Sequence, residues 1–221
     1  LYVVASPIGN LSDLSARAIS TLKQVDFIIC EDTRHSGQLL QKFSIPKKPL
    51  YAWHGYSKDS QKDFLKKLFI QEGKNGALLC DAGTPGISDP AYELTSSLAK
   101  ENIPIIPIPG PAAFLTALQG AGIPINQFWY LGFLPVKKGR QTLFKKMQEC
   151  EMTMVFYESV HRIEKTLSEM STYFGEDCQI VVARELTKLY EEFFRGTITE
   201  AVAHFKNPKG EFVVIIPARH V

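Results

Sequence analysis

The feature that most constrains the fold of this chain is a regular alternation of short apolar runs with longer amphipathic stretches. The strand-like runs of the first half are residues 2–5, 27–30, 77–80 and 103–108, and the helix-like stretches are residues 14–24, 35–43, 61–71 and 112–118. Apolar residues in the helix-like stretches recur at a spacing of about three to four residues. Strands that alternate with helices need crossover connections, so the sequence predicts an α/β fold with a largely parallel sheet.

A second set of such runs follows "GAGIPINQ" at residues 120–127, a glycine- and proline-containing stretch that is typical of a turn or boundary. Beyond it, the strand-like runs are residues 128–133, 152–157, 179–183 and 211–216, and the helix-like stretches are residues 139–150, 160–173 and 199–205. We therefore predict two α/β lobes, residues 1–122 and 123–221. Ligands of open α/β sheets bind beyond the carboxyl ends of strands, so the turns after strands are the candidate sites.

Composition is that of an ordinary globular protein, with 221 residues that are 45% hydrophobic and 22% charged. The formal net charge of +2 is too small to indicate nucleic-acid binding by itself. No apolar run approaches the roughly 18 residues of a membrane span, and the first residues predict a strand rather than a signal peptide. Since the chain starts without methionine, we expect the natural N-terminus slightly upstream. The 4 cysteines form no CxxC pair, which favours a reduced, cytoplasmic compartment and argues against a zinc site.

The turn "DAGTPGISDP", residues 81–90, has the glycines of a phosphate-binding loop but not its charge. It lacks the GxxxxGK[ST] spacing and the lysine, and Asp81 and Asp89 would offset the positive potential of a helix N-terminus. A purely structural connection, in which Asp89 caps a helix that begins at Pro90, explains part of the turn. The two glycines and the second aspartate favour a ligand with hydroxyls, amines or a positive charge.

Two further turns carry ionisable side chains directly after apolar runs. "EDTRHSG", residues 31–37, is either a helix start capped by Asp32 or Thr33 with solvated charges or a site of acid–base or substrate-positioning groups. "FYESVHR", residues 156–162, repeats the arrangement with Glu158, His161 and Arg162. Neither interpretation is excluded by the residues alone.

Two charged stretches follow in the second lobe. In "ARELTKLYEEFFRG", residues 183–196, most charges fit a solvated face, whereas Arg184 and Glu185 come directly after an apolar run. "FLPVKKGRQTLFKK", residues 133–146, places several cations close to the aromatic residues of 128–133. Cations at a helix start oppose the helix dipole, so contact with an RNA backbone is an alternative to a solvated face.

Taken together, these motifs resemble the ribosomal RNA small subunit methyltransferase I family, which belongs to the tetrapyrrole methylase superfamily of class III methyltransferases. The resemblance is colinear over nearly the whole chain and is carried by "VVASPIGNLSDLSARAI", "CEDTRHSGQLLQKFSI", "LLCDAGTPGISDP", "IPGPAAF", "FLPVKKGR", "FYESVHRI", "ARELTKLYEEFFRGT" and "GEFVVII". Cys80, Ala91, Ala112 and Val160 depart from the family pattern. So does "WHGYSK" at residues 53–58, and no substrate role is carried over to His54.

The resemblance implies a two-lobed tetrapyrrole-methylase-like fold that binds S-adenosyl-L-methionine in a cleft between the lobes, without a metal, and that usually forms a homodimer. It implies 2′-O-methylation of a decoding-region cytidine (cytidine 1402 in standard 16S rRNA numbering), in naked small-subunit rRNA or in the assembled subunit. The cofactor contacts that it implies are Pro7, Asp81, Ala82, Gly83, Thr84, Ile87, Ala112, Ala113, Tyr157, Glu158 and Leu186.

A ribose hydroxyl is a weak nucleophile, so a positioned base is expected to help its reaction. The candidate bases are Glu31, Asp32, Glu158 and Glu185, among which the sequence does not choose. The candidate substrate-binding residues are Arg34, His35, Lys137, Lys138, Arg140, His161, Arg162 and Arg184. Two alternatives stay open, a methyltransferase of the same superfamily that acts on a tetrapyrrole or a protein side chain, and a non-catalytic rRNA-binding assembly protein.

Overall fold

The chain divides into two compact units, Leu1–Ala112 and Ala113–Val221. The structure is a computed structural model that describes residues 1–55 and 59–218. Each unit contains one 5-stranded sheet with helices between its strands. The predicted α/β class is therefore confirmed. In the described ranges, no helix combines the length and the apolar character that crossing a membrane requires.

The first unit is an alternating series of strands and helices. Its elements are β1 (Tyr2–Val4), α1 (Ala16–Gln24), β2 (Phe27–Cys30), α2 (Thr33–Lys42), β3 (Leu50–Ala52), α3 (Asp59–Ile70), β4 (Gly76–Leu78), α4 (Ala91–Lys100) and β5 (Ile106–Ile108). The strand order is β3-β2-β4-β1-β5, and every pairing is parallel. This sheet is the parallel one that the sequence predicts.

Strand β2 shows why the first sheet is apolar on both faces. Ile28 and Cys30 pack into a core with residues of α1 and α2, whereas Phe27 and Ile29 pack into a second core with residues of α3 and α4. Successive side chains of a strand point to opposite faces, so a sheet covered by helices on both sides needs an unbroken apolar run. The four apolar residues Phe27–Cys30 meet that requirement.

The second unit has a mixed sheet. Its elements are α5 (Ala113–Ala121), β6 (Phe128–Phe133), α6 (Arg140–Gln148), β7 (Thr153–Glu158), α7 (Ile163–Phe174), β8 (Gln179–Arg184), β9 (Glu192–Thr197), α8 (Ile198–His204) and β10 (Phe212–Ile216). In the order β6-β7-β10-β8-β9, only β6 and β7 pair in parallel, so the expectation of a largely parallel sheet holds for the first unit alone. Strands β8 and β9 are joined by residues 185–191, too short for a crossover, and therefore pair antiparallel.

Helix α5 belongs to the second unit because that unit holds both of its ends. At its start, the Phe114 N–H donates to the Tyr157 hydroxyl at 3.2 Å. At its end, Arg195 donates to the carbonyls of Gly120 and Ala121. The structural division thus lies before α5, not at the glycine-rich stretch 120–127, which is the turn between α5 and β6. Glycine and proline mark a change of chain direction whether or not it separates two units.

Candidate functional site

The turns at the carboxyl edge of the first sheet are bonded to one another. Ser6, after β1, exchanges backbone hydrogen bonds of 2.8 and 3.1 Å with Gly83, and its hydroxyl donates to the Cys80 carbonyl at 3.1 Å. The Thr84 hydroxyl donates to the carbonyl of Pro111, after β5, at 2.9 Å. Since all the strands are parallel, their carboxyl ends share one edge, and these bonds fix the turn 81–90 between its neighbours.

The turn 81–90 is also held from within. Gly83 and Gly86 have φ angles of 85° and 89°, a region that favours glycine. The Asp89 carboxylate accepts the N–H groups of Gly86 and Ala91, each at 2.7 Å. Asp89 therefore accepts the first N–H of α4, but the N-cap residue is Pro90 and the helix begins at Ala91, so the predicted cap at Asp89 and helix start at Pro90 are each wrong by one residue.

The thiol of Cys80 contributes to the same turn as a hydrogen-bond donor. Its Sγ lies 3.3 Å from each of the carbonyl oxygens of Ala82 and Gly83. Burial raises the pKa of Cys80 to about 12, so the thiol keeps its proton at physiological pH. Cys80, a departure from the family pattern, thus takes a bracing role that a hydroxyl could also fill.

Asp81 links this turn to the one after β2. Its Oδ1 accepts the Asp32 N–H at 3.3 Å and lies 3.5 Å from Nδ1 of His35. In return, the Asp81 N–H donates to Oε2 of Glu31 at 3.2 Å. Strands β2 and β4 are neighbours in the sheet, which is why residues 49 or 50 positions apart meet here. Asp81 therefore braces the two turns against each other.

Asp32 has the structural role that the sequence offered as one alternative. It is the N-cap of α2, and its carboxylate accepts the N–H groups of Arg34 and His35 at 2.7 and 3.3 Å. The Arg34 N–H and then the Arg34 guanidinium hold the pKa of Asp32 below its usual value. The side chain of Arg34 is 89% exposed, so its charge faces solvent beyond this contact.

Glu31 differs from Asp32 in both environment and proton affinity. Burial raises the pKa of Glu31 and outweighs the hydrogen bond from the Asp81 N–H, and the charges of Asp89 and Asp81 raise it further. Burial also raises the pKa of Asp89. His54 acts in the opposite direction and lowers the pKa of Glu31. The hydrogen bond from the Asp81 N–H engages Oε2 of this carboxylate.

The remaining residues that the resemblance assigns to the cofactor in the first unit lie close along the chain to these turns. Pro7 and Ala112 are buried, Thr84 is partly buried, and Ala82 and Ile87 are exposed. An added Cβ at Gly110 would come within 2.8 Å of the Ala5 Cβ, so the β1 and β5 ends are in close contact. The described residues hold no group of three or more His, Cys, Asp or Glu side chains arranged to bind a metal ion.

The second sheet also collects its candidate residues at one edge. Strands β7 and β8 are both antiparallel to β10 and therefore run in the same direction, as does β6 beside β7. The segments 134–139, 159–162 and 185–191 accordingly follow strand ends at a common edge. This placement agrees with the expectation that turns after strands carry the candidate residues.

Glu158, at the end of β7, is buried and fully engaged. Its carboxylate accepts hydrogen bonds from the Ser159 N–H at 2.8 Å, from Nε of Arg162 at 2.7 Å and from the Thr166 hydroxyl at 2.7 Å. Arg162 Nη2 lies 2.7 Å from the same carboxylate without hydrogen-bond geometry, and Nη1 donates to the Leu134 carbonyl at 3.1 Å. Glu158 and Arg162 are therefore partners of each other rather than solvent-facing groups.

Arg140 does not occupy the position expected of a residue that contacts an external anion. It is buried, and its guanidinium donates to Glu169 at 2.6 Å, to the Thr166 hydroxyl at 2.8 Å and to the Pro135 carbonyl at 3.0 Å. The side chain has turned inward because these acceptors satisfy its charge and its donors. Its neighbours Lys137 and Lys138 are exposed and form no ion pair within the described residues. His161 is exposed as well.

The candidates after β8 are held by internal partners. Arg184 makes contacts of 2.8 Å from Nε and Nη2 to Glu192, its cross-strand neighbour on β9. Glu185 accepts hydrogen bonds of 3.0 Å from Lys188 and from the Glu211 N–H. Burial is the largest influence on Glu185 and opposes its ionisation, but these two donors outweigh it and leave its pKa below the usual value. Leu186 is buried.

Tyr157 lies in an aromatic cluster that the sequence does not reveal. Its ring centroid is 5.6 Å from that of Tyr130 and 5.4 Å from that of Phe133, and Tyr130 stands 4.3 Å from Phe114. Phe133 is 55% exposed. Ala113 begins the helix that Tyr157 holds. The cluster therefore connects the start of α5 with an exposed ring beside the lysines.

Comparison with known proteins agrees with these motifs. The family model described as Tetrapyrrole (Corrin/Porphyrin) Methylases matches residues 1–202. A protein of Synechocystis sp. named Ribosomal RNA small subunit methyltransferase I is 46% identical over 98% of this chain and 78% of its own. One of the same name from Thermotoga maritima is 40% identical over 99% of this chain and 98% of its own. The chain belongs to the ribosomal RNA small subunit methyltransferase I family.

Solved structures of other methyltransferases share the fold of this chain. Cobalt precorrin-4 methyltransferase, a cobalamin biosynthetic enzyme, has a TM-score of 0.71 at 19% identity, covering 97% of this chain and 93% of its own. The methyltransferase CobJ has a TM-score of 0.72 at 16% identity, covering 99% of this chain and 93% of its own. At these identities the likeness concerns the fold alone, and it confirms the predicted tetrapyrrole-methylase-like architecture.

Proposed function

We propose that this protein transfers a methyl group from S-adenosyl-L-methionine to the ribose 2′-hydroxyl of a decoding-region cytidine of small-subunit rRNA, cytidine 1402 in standard 16S numbering. The names of its relatives support the substrate class, and the methylase superfamily supports the donor. We propose a homodimer on the resemblance alone. An rRNA substrate places the reaction in the cytoplasm. The observation that carries the proposal is the acidic, lysine-free turn 81–90 at the edge of the first sheet.

The chemistry of that turn fits the donor. Carboxylates of Glu31, Asp81 and Asp89 gather where a phosphate-binding loop would have a lysine, and this favours a cation over an anion. When bound, S-adenosyl-L-methionine supplies an activated methyl group on a positively charged sulfonium. The residues proposed to hold it are Pro7, Asp81, Ala82, Gly83, Thr84, Ile87 and Ala112 of the first unit, and Ala113, Tyr157 and Leu186 of the second.

Among the four candidate bases, Glu31 is the one that we propose accepts the proton of the ribose hydroxyl. Asp32 is engaged as a helix cap, and Glu185 is engaged by Lys188. Glu158 is buried with three donors on its carboxylate, which suits it to holding Arg162. A carboxylate with a raised pKa, such as that of Glu31, is a better proton acceptor once ionised.

The RNA surface that we propose consists of Lys137, Lys138 and His161 with the exposed ring of Phe133. Cations neutralise backbone phosphates, and an aromatic face stacks an unpaired base. Arg34 and His35 of the first unit are proposed to contact the nucleotide that reacts. Arg140, Arg162 and Arg184 are left out of the contact set because their guanidinium groups already have internal partners.

To test the proposal, methyl-labelled donor is added to small subunits that lack the modification and, separately, to naked small-subunit rRNA. The nucleosides are then analysed by mass spectrometry. We expect a label on a cytidine ribose. A label on a base, on a ribosomal protein or on an added tetrapyrrole would contradict the proposal. An unlabelled RNA together with calorimetric absence of donor binding would support the non-catalytic assembly protein instead.

The role of Glu31 is tested by Glu31→Gln in single-turnover reactions at saturating donor. Loss of a general base lowers the rate by roughly 10²–10⁴-fold. The matched control is Glu93→Gln, which neutralises an exposed carboxylate in the first turn of α4 and is expected to keep the wild-type rate. A wild-type rate for Glu31→Gln would remove Glu31 from the mechanism.

A further inference from the structure

We infer that Arg140 and Arg162 are positioning residues that clamp the lysine loop, defined as residues 134–139, and thereby preset it for RNA without contacting RNA themselves. The inference rests on the proposed function for the identity of the ligand. Its structural part stands on the contacts of the two arginines, which meet consecutive carbonyls of one exposed loop. Both guanidinium groups approach that loop from the interior of the second unit.

The contacts to the loop are direct. Arg162 Nη1 donates to the carbonyl of Leu134 at 3.1 Å, and Arg140 Nη1 donates to the carbonyl of Pro135 at 3.0 Å. The next residues, Val136, Lys137 and Lys138, are exposed. The backbone that enters the exposed part of the loop is therefore fixed by two cationic donors, which make stronger hydrogen bonds than neutral ones.

The two arginines are joined by hydrogen-bonded side chains, of which Glu158 and Thr166 are buried. The Thr166 hydroxyl accepts from Arg140 Nη2 at 2.8 Å and donates to Glu158 at 2.7 Å, and Glu158 accepts from Arg162 Nε at 2.7 Å. Glu169 accepts from Nε of Arg140 at 2.6 Å. Two carboxylates thus balance two guanidinium charges, and every link is a hydrogen bond. Such a network has one low-energy arrangement, because any shift leaves a buried charge without its partner.

Only arginine can make the Arg140 contacts at the same time. Its Nε, Nη1 and Nη2 donate in three directions from one plane, to a carboxylate, a carbonyl and a hydroxyl. Lysine has a single ammonium group on a flexible stem and cannot reach all three acceptors. With its side chain 9% exposed, Arg140 is also withdrawn from any phosphate that approaches the surface.

A fixed loop matters because lysine side chains give little affinity when their backbone must be ordered on binding. Ordering a mobile segment costs free energy at the moment of association, and a preset segment avoids that cost. The clamp places no restraint on the ammonium groups of Lys137 and Lys138 and leaves both free of ion pairs within the described residues. The phosphate-binding charge and the residue that positions it are thus separate, and they can be tested separately.

The first measurement is hydrogen exchange of the backbone amides of residues 140 and 143, which donate to the loop carbonyls of Lys137 and Gly139 at 3.2 and 2.9 Å, in the full chain without RNA. We expect Arg140→Lys to speed this exchange at least tenfold, and Thr166→Val to do so to a smaller extent. Thr166→Ser keeps the hydroxyl and should exchange as the wild type does. Lys138→Ala removes a charge without touching the clamp and should also leave the exchange unchanged. Unchanged exchange in Arg140→Lys would overturn the clamp.

The second measurement is binding to unmodified small subunits across a range of salt concentrations, together with steady-state kinetics. Arg140→Lys is expected to raise the KM for the subunit about tenfold, with kcat and donor affinity unchanged and the same dependence of log Kd on log salt. Lys138→Ala is expected to reduce that dependence by about one phosphate contact. A reduced dependence in Arg140→Lys, with normal loop exchange, would show that Arg140 binds phosphate itself and would overturn the inference.

Two outcomes separate this inference from the proposed function. If Arg140→Lys does not fold, Glu169→Gln is the variant to use, because it keeps the size of residue 169 and weakens one contact of Arg140. The same exchange measurement on Glu169→Gln then tests the clamp. If the wild type ignores small subunits and rRNA while Arg140→Lys loosens the loop, the proposed function and the RNA role fail together, and the clamp alone is retained.

Discussion

The hydroxyl oxygen of Tyr157 accepts a hydrogen bond from the backbone N–H of Phe114, at a distance of 3.2 Å. Phe114 lies in the first turn of α5, where backbone N–H groups have no partner within the helix. A residue of strand β7 therefore completes the start of a helix that precedes it by more than thirty positions. The resemblance also assigns the Tyr157 side chain to the methyl donor. Its removal is therefore expected to affect both the stability of the start of α5 and donor binding.

Tyr157→Phe is expected to lower the free energy of unfolding by about 1 kcal/mol, because the Phe114 N–H loses its acceptor while the ring contacts remain. Chemical denaturation measures this change. The control is Tyr173→Phe, since the Tyr173 ring stacks on Phe144 and its hydroxyl has no hydrogen-bond partner within the described residues. Equal losses in the two variants would mean that the bond to Phe114 contributes nothing.

Two glycines inside helices are expected to respond to alanine with opposite signs. A Cβ at Gly37 in α2 would lie 3.8 Å from Leu50 Cδ1, an ordinary contact, so Gly37→Ala should stabilise the protein by about 0.5–1 kcal/mol. A Cβ at Gly120 in α5 would overlap the ring of Phe193, on which the Arg195 guanidinium rests. Gly120→Ala should therefore destabilise by about 1–3 kcal/mol.

Unfolding midpoints of the two alanine variants, measured side by side, check this pair. Both substitutions make the same chemical change in the same secondary structure, so helix propensity alone predicts the same sign for both. A stabilised Gly120→Ala would show that Phe193 moves aside freely and that the packing of β9 against α5 is loose.

The elements that the sequence predicts are those with a recognisable local pattern of apolar residues. The bounds of β2 and β6 were predicted to the residue, because both are bounded runs of mainly apolar residues. Strand β3 was missed because its three residues, Leu50–Ala52, are too few to show a period. Strand β9 was missed because Glu192–Thr197 alternates poorly and depends on pairing with β8 across the hairpin.

The site residues divide in the same way. Glu31 and Asp81 are predicted because polar side chains after apolar runs fall at the carboxyl edge of a sheet, and Lys138 because it lies in a cluster of cations close to aromatic residues. Their roles stay predictions. Arg140 was assigned to RNA because the sequence shows a cation next to two lysines but not the direction of its side chain. Its partners Thr166 and Glu169 lie 26 and 29 positions away, so only the packing of α6 on α7 brings them together.

Cys80 is expected to resist alkylation in the folded protein. Burial raises its pKa to about 12, so the reactive thiolate is scarce at pH 8, and the thiol continues to donate to the turn 81–90. Cys150 and Cys178 are partly exposed and should react first. Peptide mass spectrometry after a short iodoacetamide pulse checks the order. Rapid labelling of Cys80 without unfolding would mean that the turn opens on the timescale of the pulse.

Glu31 and Asp32 are expected to give opposite dependences of stability on pH. The folded-state pKa of Glu31 is raised by burial, so the stability associated with its protonated form is complete below the unfolded pKa and is lost as the pH rises through the folded value. The folded-state pKa of Asp32 is lowered by the Arg34 N–H and guanidinium, so its contribution is present above the unfolded pKa and is lost as the pH falls through the folded value.

The variants Glu31→Gln and Asp32→Asn are therefore expected to differ from the wild type in opposite directions when unfolding midpoints are measured over a series of pH values. Glu31→Gln cannot ionise, so it should exceed the wild type in stability at pH 8 and converge with it near pH 4, while methyl transfer is lost. Asp32→Asn should fall below the wild type at pH 8 and approach it at low pH, with only a small deficit because asparagine also caps helices. Parallel pH curves for Glu31→Gln and the wild type would show that the Glu31 carboxyl is as well solvated in the folded chain as in the unfolded one, which would remove the reason to prefer it as the proton acceptor.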